Sequence, residues 1–313
     1  MTPLPFSPPT PARLLIVVFG VLMAASSVLL IKASTLTPAV LASGRLLVAA
    51  VVLIPFWWKE HRVSVAKSLW TAVRPSILPG IFLGLHFIGW NAGARATLAG
   101  NASLVVNMVP LVMPFLAWGF LKEKLTVREV SGTILALLGL VVLAWGDYHF
   151  SPEHLIGDGL CFVAMVLYSI YILLARKRAA PGALFSYLVP LYFVGGLVCF
   201  GWALVFEHPL QPISWLNGLL LAGLVLGPTL AGHSIANWAM TVMRAQAVSL
   251  LNLIQFVFAG IMAFFLFGEV PGPVFLVTAV LVVAGAVVAL SGPRKRIKDR
   301  DRITGSGEEI DRI

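Results

Sequence analysis

Charge is what this chain has least of. Asp, Glu, Lys and Arg together make up 11% of its 313 residues, while hydrophobic residues make up 59%. A soluble domain carries a charged share of about 25% to cover its surface, so a water-facing shell cannot be built here. With a mean hydropathy of +0.95, the solvent for most of the chain is lipid. Cysteine is nearly missing too. Cys161 and Cys199 both fall in apolar runs, which excludes a disulfide framework and leaves no metal-ligand spacing. No Gly-x-x-x-x-Gly-Lys-Ser/Thr loop occurs, so nothing cradles the phosphates of ATP. No His-Glu-x-x-His appears and no two acids share a helix face, which argues against intramembrane hydrolysis or group transfer. The rings of charge expected of a channel filter are also missing. No cofactor, no metal and no enzymatic activity are expected.

What is present is length in the apolar runs. A hydrocarbon core of about 30 Å needs about 20 apolar residues per helix. Ten runs qualify, at approximately 12–31, 38–58, 75–94, 100–121, 127–145, 155–175, 185–206, 214–237, 246–267 and 273–291. Membrane strands are excluded, because the runs are too long and do not alternate. The first run is no cleavable signal: it is long, lacks a small-residue cleavage site and follows the Pro-rich stretch 1–11. The net charge of +9 is not a nucleic-acid signal, because the cations sit in short links between spans. With the N-terminus inside, 19 of the 22 Lys and Arg fall on the cytoplasmic side, leaving Lys32, Arg45 and Arg95 outside. Juxtamembrane cations resist translocation, so both termini are expected in the cytoplasm. The segment from 292 to 313 reads as a solvated basic tail.

Sliding the chain on itself by 146 residues aligns Asn91 with Asn237, Ser103–Leu104 with Ser249–Leu250, and Glu123 with Glu269. It also pairs Gly139 with Gly285 and Val141–Val142 with Val287–Val288. One ungapped offset therefore holds over three helices of each half. Five spans per unit is an odd number, so the second copy enters the membrane upside down, the inverted-repeat plan of secondary transporters. The expected units are 12–147 and 155–291, joined by a short link containing Ser151–Pro152.

Several short motifs carry a family resemblance. They are Leu121-Lys122-Glu123-Lys124-Leu125-Thr126 with Phe267-Gly268-Glu269-Val270-Pro271, Gly44-Arg45-Leu46-Leu47, and the Gly-Leu-Val-Val and Gly-Ala-Val-Val runs of spans five and ten. In these the chain resembles the EamA-type members of the drug/metabolite transporter superfamily, over residues 12–291. The resemblance implies transport of small metabolites, often export of amino acids, across a bacterial inner membrane. Small multidrug-resistance relatives carry a glutamate in the first helix. This first span has no acid, which speaks against cation–proton antiport by that route.

Polar side chains within spans should face the bundle interior or a wet cavity. In span eight Thr229, His233, Asn237 and Thr241 recur at i, i+4, which predicts one polar stripe on a cavity wall, with Trp238 beside it. Span four carries Ser103, Asn107, Pro110 and Pro114 on one face. Two prolines a turn apart predict a mid-membrane kink, readable as a gating hinge or a fixed bend. Span nine offers Ser249, Asn252 and Gln255 but no proline, so the halves need not bend alike. Span three offers His86, Trp90 and Asn91, and span six offers Tyr168 and Tyr171, rings able to stack on an apolar substrate while donating a hydrogen bond. His86 and His233 are the histidines inside spans and the candidates for proton coupling, beside the plainer reading as packed neutral rings. Arg45 has to snorkel or find a partner, either a substrate carboxylate or, the favoured reading, backbone carbonyls. Gly80, Gly84, Gly89, Gly93, Gly223 and Gly227, spaced in fours, should bring helices close.

The expectation is alternating access about a midplane cavity lined mainly by spans three, four, six, eight and nine, with Ser26 and Ser27 contributing. Few fixed charges inside point to a small zwitterionic or neutral substrate with an apolar part, and to lipid as the only other partner. The oligomeric state is left open.

Overall fold

The computed structural model describes residues 10–63, 69–97, 99–122, 124–146, 152–178, 184–208, 212–267 and 273–291. Expectations for the leading stretch 1–9, the repeat link at 147–151, Glu123, Glu269 and the basic tail from 292 lie outside the described residues. Among those described there is no strand, and ten long helical segments follow one another. They are α1 (Pro11–Ala33), α2 (Pro38–Val63), α3 (Leu69–Ala96), α4 (99–121), α5 (Val127–Gly146), α6 (Pro152–Arg178), α7 (Leu184–Phe206), α8 (Trp215–Val242), α9 (245–267) and α10 (Pro273–Leu290). Nine of them meet the length and hydropathy of a membrane span among the described residues, and α5 is a 20-residue helix at the remaining predicted position. The protein is thus an all-α, multi-pass membrane protein.

Lipid explains the surface. Large apolar side chains such as Leu15, Phe115, Val141, Phe206 and Val280 point outward, which in water would be an aggregation hazard and in a bilayer is solvation. Trp58, Trp145, Trp202 and Trp215, all near helix ends, are exposed as well.

The inverted repeat is visible in contacts that exchange under the 146-residue offset. Where α5 packs on α10, Gly132 lies against the Gly285 carbonyl and Gly139 against the Thr278 carbonyl. Adding 146 to the first member of each contact gives a member of the other, so a pseudo-two-fold axis runs between the helices. A second pair of contacts repeats on opposite faces of the bundle. Lys32, at the end of α1, donates to the Thr97 carbonyl at 2.8 Å. Arg176, at the end of α6, donates to the carbonyl of Met243, which is Thr97 shifted by 146. Each cation thereby satisfies a carbonyl at the end of the third helix of its own repeat, where helix termini leave acceptors unpaired.

Glycines set the helix spacing as expected. A Cβ at Gly84 would sit 2.7 Å from the Gly195 carbonyl of α7, and one at Gly93 2.6 Å from Cys161 of α6. Gly223 and Gly227 face α1 at ordinary contact distance.

At Gly285 the obstacle to a side chain is backbone: a Cβ would meet the Gly132 oxygen at 2.5 Å, whereas at Gly159 nothing lies within 4 Å. Gly285→Ala should therefore lower the thermal midpoint of the purified protein in detergent. Gly159→Ala should leave it level or raise it, because alanine gains about 0.5–1 kcal/mol in a helix interior. Equal shifts in one direction would contradict this account of the α5–α10 seam.

Candidate functional site

Four backbone irregularities meet at one depth in the bundle. In α1 the helix stops at Ala25 and restarts at Ser27, with the Ser26 hydroxyl donating to the Met23 carbonyl at 2.8 Å. In α4 it stops at Val106 and restarts at Val109. The turn between is held by 3₁₀-type bonds from Asn107 N to Leu104 O and Met108 N to Val105 O, at 3.2 and 3.1 Å. In α9 it stops at Leu253 and restarts at Gln255. In α8, residues Val225–His233 form a π-helix. Pro110 sits in the first turn after the α4 break and Pro114 within the following helix, consistent with prolines unable to donate backbone bonds. The break in α9 needs no proline and corresponds to that in α4 under the 146-residue offset, whereas α6 and α3, the counterparts of α1 and α8, run through as continuous α-helix.

Between these breaks lies a cleft enclosing about 560 Å³ of empty space, counting its open mouth. Ala24 and Ser27 come from α1, His86 and Trp90 from α3, Val106, Asn107 and Val109 from α4, and Tyr168 from α6. Pro228, Gly232, His233 and Ala236 come from α8, and Asn252 and Gln255 from α9. A side branch of about 220 Å³ adds Ser103, Val28 and Ala259. The cleft closes toward the face carrying Arg244. There every residue of Ala245–Leu253 is buried, Arg244 pairs with Glu129 at 2.5 Å, and Gln246 donates to the Thr133 hydroxyl at 2.6 Å.

The floor is aromatic. His86 packs on Tyr168 with centroids 5.1 Å apart, Phe87 on His233 at 4.8 Å, and Tyr168 meets His233 edge-on at 5.7 Å. Hydrogen bonding fixes the chemistry of several of these groups. His86 Nδ1 lies 2.8 Å from the Ala164 carbonyl. That oxygen can only accept, so Nδ1 carries a proton and Nε2 of the neutral ring is an acceptor. Asn107 donates its amide N–H to the Ser103 carbonyl at 2.6 Å, leaving its own carbonyl oxygen for the cleft. Asn252 donates to the Tyr168 hydroxyl at 3.0 Å. Among the described residues no group of three His, Cys, Asp or Glu could hold a metal ion.

Of the residues singled out from sequence, the structure brings His86, Trp90, Asn107, Tyr168, His233, Asn252 and Gln255 to the cleft, with Ser103 on its branch. The others stand behind it. Asn91 is fully buried and donates to the Pro38 carbonyl at 2.9 Å. Trp238 packs against the core, and Tyr171 and Asn237 are fully buried and bonded to one another. Thr229 is fully buried, donating to the Leu224 carbonyl at 2.8 Å. The single stripe expected along α8 does not form, because the π-helix adds a residue to the turn and rotates Thr229 out of line with His233. Residues missed from sequence are Ala24, Val106, Val109, Pro228, Gly232 and Ala236. Small side chains carry no chemical label, although a Gly, Pro and two Ala in a row of spans was a signal of close packing or space.

Arg45 is the second correction. It is fully buried in α2 and, among the described residues, bonds side-chain hydroxyls and no backbone carbonyl. Its Nε donates to the Thr229 hydroxyl at 2.9 Å, Nη1 approaches the Ser27 hydroxyl at 3.5 Å, and the guanidinium lies 4.0 Å above the Phe87 ring.

The sequence model of the EamA-like transporter family matches residues 11–145 and again 155–291. A probable terminal-alkyne amino-acid exporter from Streptantibioticus cattleyicolor is 28% identical over 63% of this chain and 66% of its own length. An S-adenosylmethionine uptake transporter from Rickettsia felis is 25% identical over 80% of this chain and 82% of its own. An uncharacterized transporter from Archaeoglobus fulgidus is 32% identical, and there the chain spans about a third, 32%, of the relative's length. A solved crystal structure superposes with a TM-score of 0.72 at 19% identity, covering 89% of this chain and 97% of that one, which shows a shared fold.

The Thr229 hydroxyl is the nearest acceptor for a buried cation. Thr229→Val should lower stability by about 1–3 kcal/mol, the cost of an unsatisfied buried donor, read as a lower thermal midpoint. Thr241→Val, whose hydroxyl only bonds back to the Trp238 carbonyl of its own helix at 2.7 Å, should shift it far less. An unchanged midpoint in Thr229→Val would mean that Arg45 is held by something else.

Proposed function

The chain belongs to the EamA-like transporter family, a family of transporters and not of enzymes, and from that premise we propose that it exports small zwitterionic metabolites, amino acids with an apolar or aromatic side chain foremost. The observation that carries this reading is the composition of the cleft. Its wall offers neutral acceptors, His86 Nε2 and the Asn107 carbonyl oxygen, beside aromatic faces at Trp90, Tyr168 and His233. No ionised side chain lines it among the described residues. An ammonium group finds acceptors there and an apolar side chain finds rings. A substrate with several negative charges finds no matching set of cations, which disfavours sugar phosphates. The cargoes named for the Streptantibioticus and Rickettsia relatives, an amino acid and S-adenosylmethionine, share an amino-acid head, which supports the same class. One name speaks of export and the other of uptake. Direction here follows from the gradient the cell imposes.

The mechanism proposed is alternating access, with the units 12–147 and 155–291 rocking about the pseudo-two-fold axis. The sealed face at Arg244 and Glu129 would open as the opposite face closes. The α4 break at Asn107, with Pro110 and Pro114 after it, would serve as one hinge. Orientation with both termini in the cytoplasm of a bacterial inner membrane rests on the distribution of Lys and Arg.

The test is uptake of radiolabelled phenylalanine and threonine by proteoliposomes holding the purified protein, with and without a pH gradient. Saturable flux is expected for phenylalanine above threonine. It should fall at least about tenfold in Asn107→Ala and His86→Ala, on the scale of one lost hydrogen bond to a charged group. Absence of flux for every amino acid would remove this substrate class while leaving the family assignment in place.

A further inference from the structure

Beneath the cleft, at the junction of α1, α2 and α3, hydrogen-bond donors outnumber acceptors. The Ser27 hydroxyl accepts from Trp90 Nε1 at 3.3 Å and receives Arg45 Nη1 at 3.5 Å. With both lone pairs so directed, its own O–H needs an acceptor, and none is present among the described residues. Arg45 Nη2 is likewise buried with no hydrogen-bond partner, on a side chain with no exposure at all. No acidic side chain among the described residues pairs with Arg45. A guanidinium taken out of water without a counter-ion is costly. The Phe87 ring face and two hydroxyls offset only part of that cost. Ser27 and Trp90, meanwhile, are themselves cleft-lining residues.

The geometry points to an anion subsite: we infer that Ser27, Trp90 and Arg45 together dock the carboxylate of the transported substrate. The carboxylate accepts from the Ser27 O–H, which Trp90 Nε1 and Arg45 Nη1 hold in place through the Ser27 oxygen, and the guanidinium behind supplies the single positive charge that balances it. One cation matches one negative charge, which selects a carboxylate over a phosphate ester carrying two. One turn before Trp90 on α3, His86 offers Nε2 as an acceptor and α4 adds the Asn107 carbonyl oxygen, so the two ends of a zwitterion meet groups of opposite character. Because the three donors come from α1, α2 and α3, while Thr229 ties Arg45 to α8, loading the subsite also joins the two repeats at the helices that must move. The inference deepens the amino-acid reading and rests on it for the ammonium end, but not for the carboxylate end.

The experiment compares three ligands of one skeleton by titration calorimetry on the purified full-length protein in nanodiscs. They are phenylalanine, phenylalaninamide, which lacks the carboxylate, and 3-phenylpropanoate, which lacks the ammonium. Wild type should bind phenylalanine and 3-phenylpropanoate at least about tenfold more tightly than the amide, the worth of one good charge-assisted bond. In Ser27→Ala and in Arg45→Gln that ratio should fall toward one, and Arg45→Lys should restore part of it. Should Arg45→Gln fail to fold, Ser27→Ala carries the test alone. A ratio near one in wild type overturns the subsite, as does a tenfold ratio that survives Ser27→Ala. Binding of 3-phenylpropanoate that depends on Ser27, with no binding of phenylalanine, keeps the subsite and removes the amino-acid reading. No binding of any of the three overturns both.

Discussion

In lipid every backbone amide must find its partner within the protein, and that single constraint organises this molecule. A helix satisfies it along its whole length, so a break inside the bilayer is tolerated only where other protein groups or trapped water stand in. Here four irregularities fall together, at Ser26, Asn107, Ile254 and the π-helix Val225–His233. The cleft lies where they meet. Two of its polar groups sit at the breaks, Asn107 covering the Ser103 carbonyl and Asn252 just before the α9 restart, while Ser26, beside the cleft-lining Ser27, covers the Met23 carbonyl. Backbone disruption and binding capacity are therefore one feature.

How much of this was legible in the sequence depends on which length scale carried the signal. Hydropathy is averaged over about 20 residues, so the spans and their order stood out. The repeat stood out because polar residues are rare enough in an apolar background to act as register marks. Asn91 and Asn237 are buried equivalents, and Gly139 with Gly285 sits on the symmetry axis. What was not legible turns on the angular position of single residues. The stripe through Thr229, His233 and Asn237 assumes a regular helix, but the π-helix Val225–His233 places Thr229 against Arg45, and Asn237, beyond it, bonds Tyr171. The α9 break carries no proline. Arg45 was flagged as needing a partner, but the partners are hydroxyls from α1 and α8, far apart in sequence and brought together only by the fold.

The two faces of the bundle are fastened by similar means and unequal strength. On each, a cation at the end of the first helix of a repeat holds the end of the third, Lys32 on Thr97 and Arg176 on Met243. The face with Arg244 adds an ion pair whose Glu129 is buried and also accepts from Thr126 at 2.8 Å. The opposite face adds Glu207, which caps the start of α2 through the Ala39 and Val40 amides at 3.1 and 3.2 Å. There Arg95 also bonds the carbonyls of Ile31 and Leu36 between α1 and α2. The Arg95 bonds stay within the first repeat, whereas the Arg244–Glu129 pair on one face and the Glu207 cap on the other each join one repeat to the other.

A symmetric scaffold with an asymmetric filling follows from these arrangements. The α5–α10 seam obeys the 146-residue offset closely enough that its glycine contacts exchange one for one. The cleft does not obey it: Arg45 has no cationic equivalent at position 191, which is Leu191, and His86 pairs by offset with Gly232. Were the filling symmetric as well, each end of a bound molecule would meet the same chemistry, and a head-to-tail dipole could not be oriented. On the alternating-access mechanism proposed above, duplication would supply two nearly equal conformational states, and divergence of a few interior residues the polarity that keeps a single bound orientation between them. The charge poverty that first marks the sequence follows from the lipid solvent, and on the proposed mechanism it extends to the cleft, where a single full charge behind the floor would let a substrate be held and still leave.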